Sequence, residues 1–208
     1  MYKFQDYVFI LVTLFFCISL TVFLTINSVY LYHIYIIICK LGVEFKVSNH
    51  TLLQNYHSMV YFIQNPFLNV LGLSKFSLSN SALSHFKDVR KLILLSDVVL
   101  IISSSYLLWL RKSKNLKFLL VKTNELIKRL IISLSIITVI VLLDFHEIFI
   151  YFHILLFSNQ NWYFNPKKDP IINVLPDQYF LLCFTVALIY LFLLLLFFYW
   201  KGTAKPKK

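Results

Sequence analysis

The sequence contains little glycine, cysteine or charge, and each scarcity excludes a class of site. Its 208 residues include only three glycines, and no GxxxxGK or GxGxxG loop that could hold a nucleotide phosphate is present. The three cysteines, Cys17, Cys39 and Cys183, lie in apolar runs without a CxxC pair. A disulfide framework or a cysteine-bound metal is therefore not expected.

Sequence signatures of covalent catalysis and metal catalysis are also missing. No Gly-x-Ser-x-Gly elbow occurs, no cysteine lies beside a histidine in a polar segment, and no pair of the six histidines has HExxH spacing. If the protein is an enzyme, we expect it to work by acid–base catalysis and by positioning its substrate, without a metal or a cofactor.

Hydrophobic residues, in contrast, are abundant and are gathered in long blocks. They make up 59% of the chain, and charged residues make up 14%, whereas a soluble domain has about 45–50% and about 25%. An apolar helix of about 20 residues crosses a bilayer. The pattern predicts an all-α membrane protein, a single membrane domain over residues 1–208. Its four transmembrane helices are expected at about 7–26, 92–110, 126–143 and 178–200.

The net charge is +11, and the basic residues that produce it flank the apolar blocks. This distribution indicates how the protein is oriented in the membrane and does not favour nucleic-acid binding. Seven lysines and arginines lie in 111–129 and four in 201–208, and short basic connections remain in the cytoplasm. Both termini are therefore expected in the cytoplasm. The segments 29–91 and 145–177 would then lie outside and form an extracytoplasmic cap.

The stretch 29–39 is apolar but too short to span the membrane by itself. It could extend the first helix or form a strand at the membrane interface. Its weak alternation of tyrosine and isoleucine favours the strand. Each outer segment also contains a stretch with apolar residues at helical spacing, at about 52–67 and 146–157.

All six histidines lie in the predicted outer segments, and two sets could carry chemistry. His85 and Asp88 share a helical face, where a carboxylate can hold an imidazole tautomer and raise its basicity. A solvated helix start explains the same spacing, and the spacing alone favours it. His146 and His153 also share a face, among phenylalanines, and the spacing alone favours a packing role for them.

Residues 144–180 read DFHEIFIYFHILLFSNQNWYFNPKKDPIINVLPDQYF. They resemble the pattern DFxxxFxxFHxxxFxNxxWxxxPxxDxxIxxxPxxxF of the lipoprotein intramolecular transacylase (Lit) family of Gram-positive bacteria. Asn55-Tyr56 with Tyr61, and SNSALSHFKDVR at 79–90, resemble two further elements of that family. Arg90, His146 and Tyr179 depart from its usual lysine, acid and glycine.

The resemblance implies an acyl transfer within a diacylglyceryl-modified lipoprotein at the cell membrane. The sn-2 acyl chain would move from glycerol to the α-amine of the N-terminal cysteine and leave a lyso-form lipoprotein. Lipoproteins and membrane lipids are the expected partners, and the oligomeric state stays open. The resemblance makes His85 and His153 the catalytic candidates, with Asp88 orienting His85, and it adds shaping or hydrogen-bonding candidates: Asn55, Tyr56, Asp144, Trp162 and Asp169.

Two other functions fit the sequence. A non-enzymatic accessory or immunity-type membrane protein would leave lipoproteins chemically unchanged. Another lipid-modifying enzyme could use the same histidines on free phospholipid. The transacylase hypothesis requires His85 and His153 to lie within several ångströms of each other, although 68 positions separate them in the chain.

Overall fold

A computed structural model describes residues 2–203 of the chain, except for the side chain of Ile140. The predicted cytoplasmic tail therefore lies outside the described residues from position 204 onward. No β-strand occurs between residues 2 and 203. The helices in chain order are α1 (Phe4–Asn27), α2 (Tyr30–Ile38), α3 (Leu41–Glu44), α4 (Asn49–Gln64), α5 (Asn80–Lys112), α6 (Asn115–Leu143), α7 (Phe145–Leu156), a 3-10 turn (Pro170–Val174) and α8 (Asp177–Thr203).

Four of these helices, α1, α5, α6 and α8, are long and apolar enough to cross a membrane. The chain is thus a multi-pass all-α membrane protein, as its composition predicts. The helices α5 and α6 begin well before the apolar stretches predicted as spans, because charged residues end an apolar run without ending a helix. In α5 the charged run Lys87–Lys91 precedes the apolar stretch, so the first turns of this helix are polar.

The strand favoured for 29–39 is wrong, because α2 covers Tyr30–Ile38. Its buried residues, Tyr32 and Ile36, are four positions apart, which is the spacing of one helical face. The β-branched isoleucines suggested a strand, but packing of that face overrides the local preference. The helix ends before Lys40, whose φ of 52° turns the chain.

Among the described residues, one compact unit consists of 2–24, 96–144 and 186–203. At the start of α1, the buried carboxylate of Asp6 lies 2.6 Å from the Lys122 ammonium and accepts a bond from the Lys3 N–H at 2.6 Å. A buried carboxylate needs such partners. The apolar core of this unit comprises Phe9, Cys17, Leu107, Leu110, Leu120, Ile127, Leu195 and Phe198.

The other compact unit consists of Thr25–Leu95 and Phe145–Thr185. It therefore includes α2, α4 and α7, the first turns of α5 and the whole of the 157–176 loop. Both candidate catalytic histidines belong to it. Its core comprises Tyr32, Ile36, Leu41, Leu52, Met59, Phe62, Leu71, Ile171, Val174, Leu175 and Tyr179.

Arg90 fastens the turn that follows α4 in this unit. Its guanidinium lies 4.4 Å from the ring centroid of Phe62 and donates hydrogen bonds to the carbonyls of Asn65 and Leu68. The forked guanidinium can reach two carbonyls and stack on a ring at the same time. Arginine at this position, where the family pattern has lysine, can therefore hold the turn through both carbonyls and the Phe62 ring.

Candidate active site

The imidazoles of His85 and His153 lie side by side. Their ring centroids are 5.7 Å apart, and each residue is only 9% exposed. His85 projects from the second turn of α5 and His153 from the third turn of α7. The proximity that the sequence analysis required is confirmed, and it brings together two segments far apart in the chain.

Aromatic side chains surround the histidine pair. The Phe157 ring contacts both imidazoles, at 4.8 Å from His85 and 5.7 Å from His153 between centroids. Trp162 lies 5.1 Å from His153, and Phe164 lies 5.6 Å from His85. The pair is thus held in an apolar enclosure where water is scarce and electrostatic effects are strong.

His153 is held in one tautomer by its own helix. Its Nδ1 lies 2.7 Å from the carbonyl oxygen of Phe149. A carbonyl only accepts, so Nδ1 carries the proton and Nε2 of the neutral ring keeps a free lone pair. Burial lowers the pKa of His153, while the bond to Phe149 and the charge of Asp177 act in the opposite direction. The ring is therefore neutral and able to accept a proton at neutral pH.

His85 is more strongly disfavoured as a cation. Burial, and then the neighbouring His153, lower its pKa to about 4, against a smaller opposing effect of Asp88. Its Nδ1 is buried and has no hydrogen-bond partner among residues 2–203. Once protonated, such an imidazole gives up its proton readily.

Asp88 does not hydrogen-bond to His85, although it was predicted to orient that ring. Its carboxylate instead contacts the Lys91 ammonium at 2.8 Å and accepts from the Asn159 side chain at 3.1 Å. The Lys91 bond is the main reason that the pKa of Asp88 is lowered. Asp88 therefore acts on His85 through its charge and links α5 to the 157–176 loop through Asn159.

A row of side-chain hydrogen bonds, here called the serine seam, joins the 157–176 loop to the start of α5. Asp169 is its centre: this buried carboxylate accepts from the backbone N–H of Ser79 at 2.6 Å and from the Ser79 hydroxyl at 3.1 Å. Because α5 carries His85 and the loop carries Trp162, the seam fixes how these groups meet. The remaining pairs of the seam are Ser77 with the Lys168 carbonyl, Ser81 with Asn161, and Asp88 with Asn159.

We expect Asp169→Ala to lower both stability and product formation. The substitution leaves the half-buried Ser79 N–H without its acceptor before the first turn of α5, which costs about 1 kcal/mol. Asp169→Asn keeps one acceptor oxygen and should restore most of the loss. Thermal unfolding in detergent and the rate of product formation would measure both effects. Glu44→Ala, which removes an exposed carboxylate, is the matched control and should behave as wild type.

Asn55 and Tyr56 shape the fold of this unit. Asn55 donates to the Ser74 carbonyl at 2.8 Å and accepts from the Ser74 N–H at 2.6 Å, which ties α4 to the loop before α5. Tyr56 stacks on Tyr32 at 4.4 Å and accepts a bond from the Tyr179 hydroxyl at 2.7 Å. Tyr32 was not predicted from the sequence to take part in this cluster. Tyr179 was noted only as a departure from the family pattern.

Of the two predicted site residues Trp162 and Asp144, only Trp162 lies beside the histidine pair. Trp162 contacts His153 as described above and is part of the aromatic enclosure. Asp144 is the exposed residue that ends α6 and belongs to the first unit. Phe164, also in the enclosure, was not singled out from the sequence. Its only signal was its place between two motif positions, Trp162 and Pro166.

The arrangement supports proton transfer. Two neutral imidazoles in a dry aromatic enclosure can take a proton from one group and deliver it to another a few ångströms away. Within residues 2–203, no group of three or more histidines, cysteines or carboxylates is placed to hold a metal ion.

Comparison with known proteins identifies related chains. The sequence profile of the family described as lipoprotein intramolecular transacylase Lit matches residues 7–180. The structure of the membrane-integral lipoprotein intramolecular transacylase Lit from Bacillus cereus has a TM-score of 0.80 at 24% identity, over 94% of this chain and 93% of that chain. The same protein with an H85R or an H85A mutation matches with a TM-score of 0.69, at 24% identity, over 94% of this chain and 89% and 90% of those chains. The likeness to these structures establishes the fold. No curated protein matches the sequence.

Proposed function

Because the chain belongs to the Lit family of lipoprotein intramolecular transacylases, we propose that it transfers an acyl chain within one diacylglyceryl lipoprotein. The chain leaves the sn-2 ester of the glycerol and forms an amide with the α-amine of the N-terminal cysteine. The observation that carries this proposal is the close pair of neutral histidines, 5.7 Å apart between ring centroids, in a buried aromatic enclosure.

The reaction requires positioning and two proton movements. The amine nitrogen attacks the ester carbonyl, the bond from the acyl carbon to the glycerol oxygen breaks, and one proton passes from nitrogen to that oxygen. Nucleophile and ester belong to the same molecule, so holding them together removes much of the entropic barrier. The lack of a serine or cysteine elbow fits a reaction in which the substrate supplies the nucleophile.

The two histidines suit different halves of this proton movement. The fixed tautomer of His153 leaves Nε2 as a proton acceptor for the amine. An α-amine has a pKa of about 7.7–8.0 and is mostly protonated at neutral pH, so it first releases one proton to solvent. Nε2 of His153 then takes the proton that the nitrogen loses as it attacks the ester. His85, whose pKa is lowered to about 4, would pass a proton onward to the glycerol oxygen.

We place this site at the outer face of the membrane. The basic 111–129 and 201–208 segments favour the cytoplasm, which puts α7 and the first turns of α5 on the other side. Four apolar side chains of α7 are 53–83% exposed: Tyr151, Phe152, Ile154 and Leu155. A helix face of this kind suits contact with the lipid in which the substrate is anchored.

The test is the fragmentation pattern of a reporter lipoprotein's N-terminal peptide in tandem mass spectrometry. The purified protein is incubated with a diacylglyceryl lipopeptide, and the expected product has unchanged mass but carries an N-acyl group and only one O-acyl chain. Tandem mass spectrometry separates the two isomers. An unchanged fragmentation pattern would favour an accessory or immunity-type protein. Lyso-phospholipid formed without lipopeptide would favour the other lipid-modifying enzyme.

A further inference from the structure

A cleft of about 850 Å³ opens beside the histidine pair, and the mechanism above leaves it unused. Phe157 and Trp162, which contact the imidazoles, form one wall of it. The cleft therefore opens directly beside the two candidate catalytic histidines. Its other lining residues are Ile154, Ser158, Asn159, Gln160 and Tyr163.

The lining of this cleft is mixed, because it includes both a polar turn and aromatic side chains. The backbone N–H groups of Ser158, Asn159 and Gln160 make no hydrogen bond to any other residue in the described range. The side chains of Ser158 and Gln160 are exposed. An acyl chain gains nothing from these donors, and covering them with hydrocarbon is unfavourable.

A peptide, in contrast, fits both features of the cleft. Each residue of an extended peptide has an N–H and a C=O that need partners, and its side chains can pack on aromatic rings. In a lipoprotein, the chain continues from the carbonyl of the lipidated cysteine and must leave the site beside it.

We propose that this cleft binds the peptide segment that follows the lipidated cysteine. The backbone N–H groups of Ser158–Gln160 donate to the carbonyls of that segment, and the Ser158 and Gln160 side chains accept from its N–H groups. This rests on the proposed function, since it presupposes a lipoprotein substrate. The enzyme thereby distinguishes a lipoprotein from a free lipid of similar chemistry. The lipid chains would lie on the exposed apolar side of α7.

The test compares two substrates with the full-length protein in detergent. One is diacylglyceryl-cysteine amide, and the other is a diacylglyceryl lipopeptide with five residues after the cysteine. Wild type should have a kcat/KM at least tenfold higher for the longer substrate. Ser158→Ala combined with Gln160→Leu should reduce that ratio several-fold. Gln54→Leu, which changes an exposed glutamine on α4, is the matched control and should keep the ratio.

A third substrate separates backbone recognition from side-chain recognition. N-methylation of the second and third peptide bonds should lower the wild-type kcat/KM towards that of the cysteine amide. Equal kcat/KM values for all three substrates would overturn the peptide site and leave the transacylase intact. Failure to form N-acyl product from any substrate would overturn both proposals.

Discussion

Replacing His153 with alanine should lower the rate of lyso-lipoprotein formation by about 10²–10⁴-fold, the usual contribution of a positioned acid–base group. The variant lacks the proton acceptor that Phe149 holds in a fixed tautomer beside Trp162. The attacking nitrogen would have to lose its proton to water. The measurement is the initial rate of N-acyl product formation from a diacylglyceryl lipopeptide, followed by mass spectrometry.

Two further variants separate catalysis from damage to the fold. His153→Gln keeps a polar side chain at a buried position but supplies no base, so its activity should be as low as that of the alanine variant while its thermal stability stays closer to wild type. His57→Ala removes an exposed histidine on α4 and should retain full activity. Activity within threefold of wild type in His153→Gln would rule out proton transfer by this residue.

The helical architecture was largely predictable from sequence. The apolar blocks are long and nearly free of charge, so hydropathy alone places four membrane helices, and the spacing of apolar residues predicts α4 and α7. The 29–39 segment was assigned wrongly because its composition suits either structure. Only the packing of Tyr32 and Ile36 into the core of the second unit decides for a helix.

The contacts of the candidate active site were harder to predict from the sequence than the helices. The local spacing of His85 and Asp88 suggested a direct hydrogen bond. The Asp88 carboxylate instead accepts hydrogen bonds from Lys91 and Asn159. The pairing of His85 with His153 depends on the serine seam, whose partners lie 71 to 91 positions apart. No local pattern predicts contacts over such separations. The resemblance to a family supplied the histidine pair, and the contacts of Asp169 explain how the fold assembles it.

Replacing His85 should also lower activity by about 10²–10⁴-fold, and it should change how stability depends on pH. In the native state the pKa of His85 is about 4, whereas an unfolded histidine has a value near 6.5. Between these two values the unfolded chain binds a proton that the native protein does not. The contribution of neutral His85 to stability is therefore fully present above pH 6.5 and is lost as the pH decreases from about 6.5 to about 4.

His85→Gln removes this titration, so its melting temperature should fall less steeply than that of wild type over the same pH range. The unfolding midpoint in detergent, measured at half-unit steps from pH 7 to pH 4, tests this. His57→Gln is the control: it removes an exposed histidine and should follow the wild-type slope. Equal slopes in His85→Gln and wild type would mean that His85 becomes charged in the native protein near pH 6.5. It could then no longer serve as the strongly acidic donor that the glycerol oxygen requires.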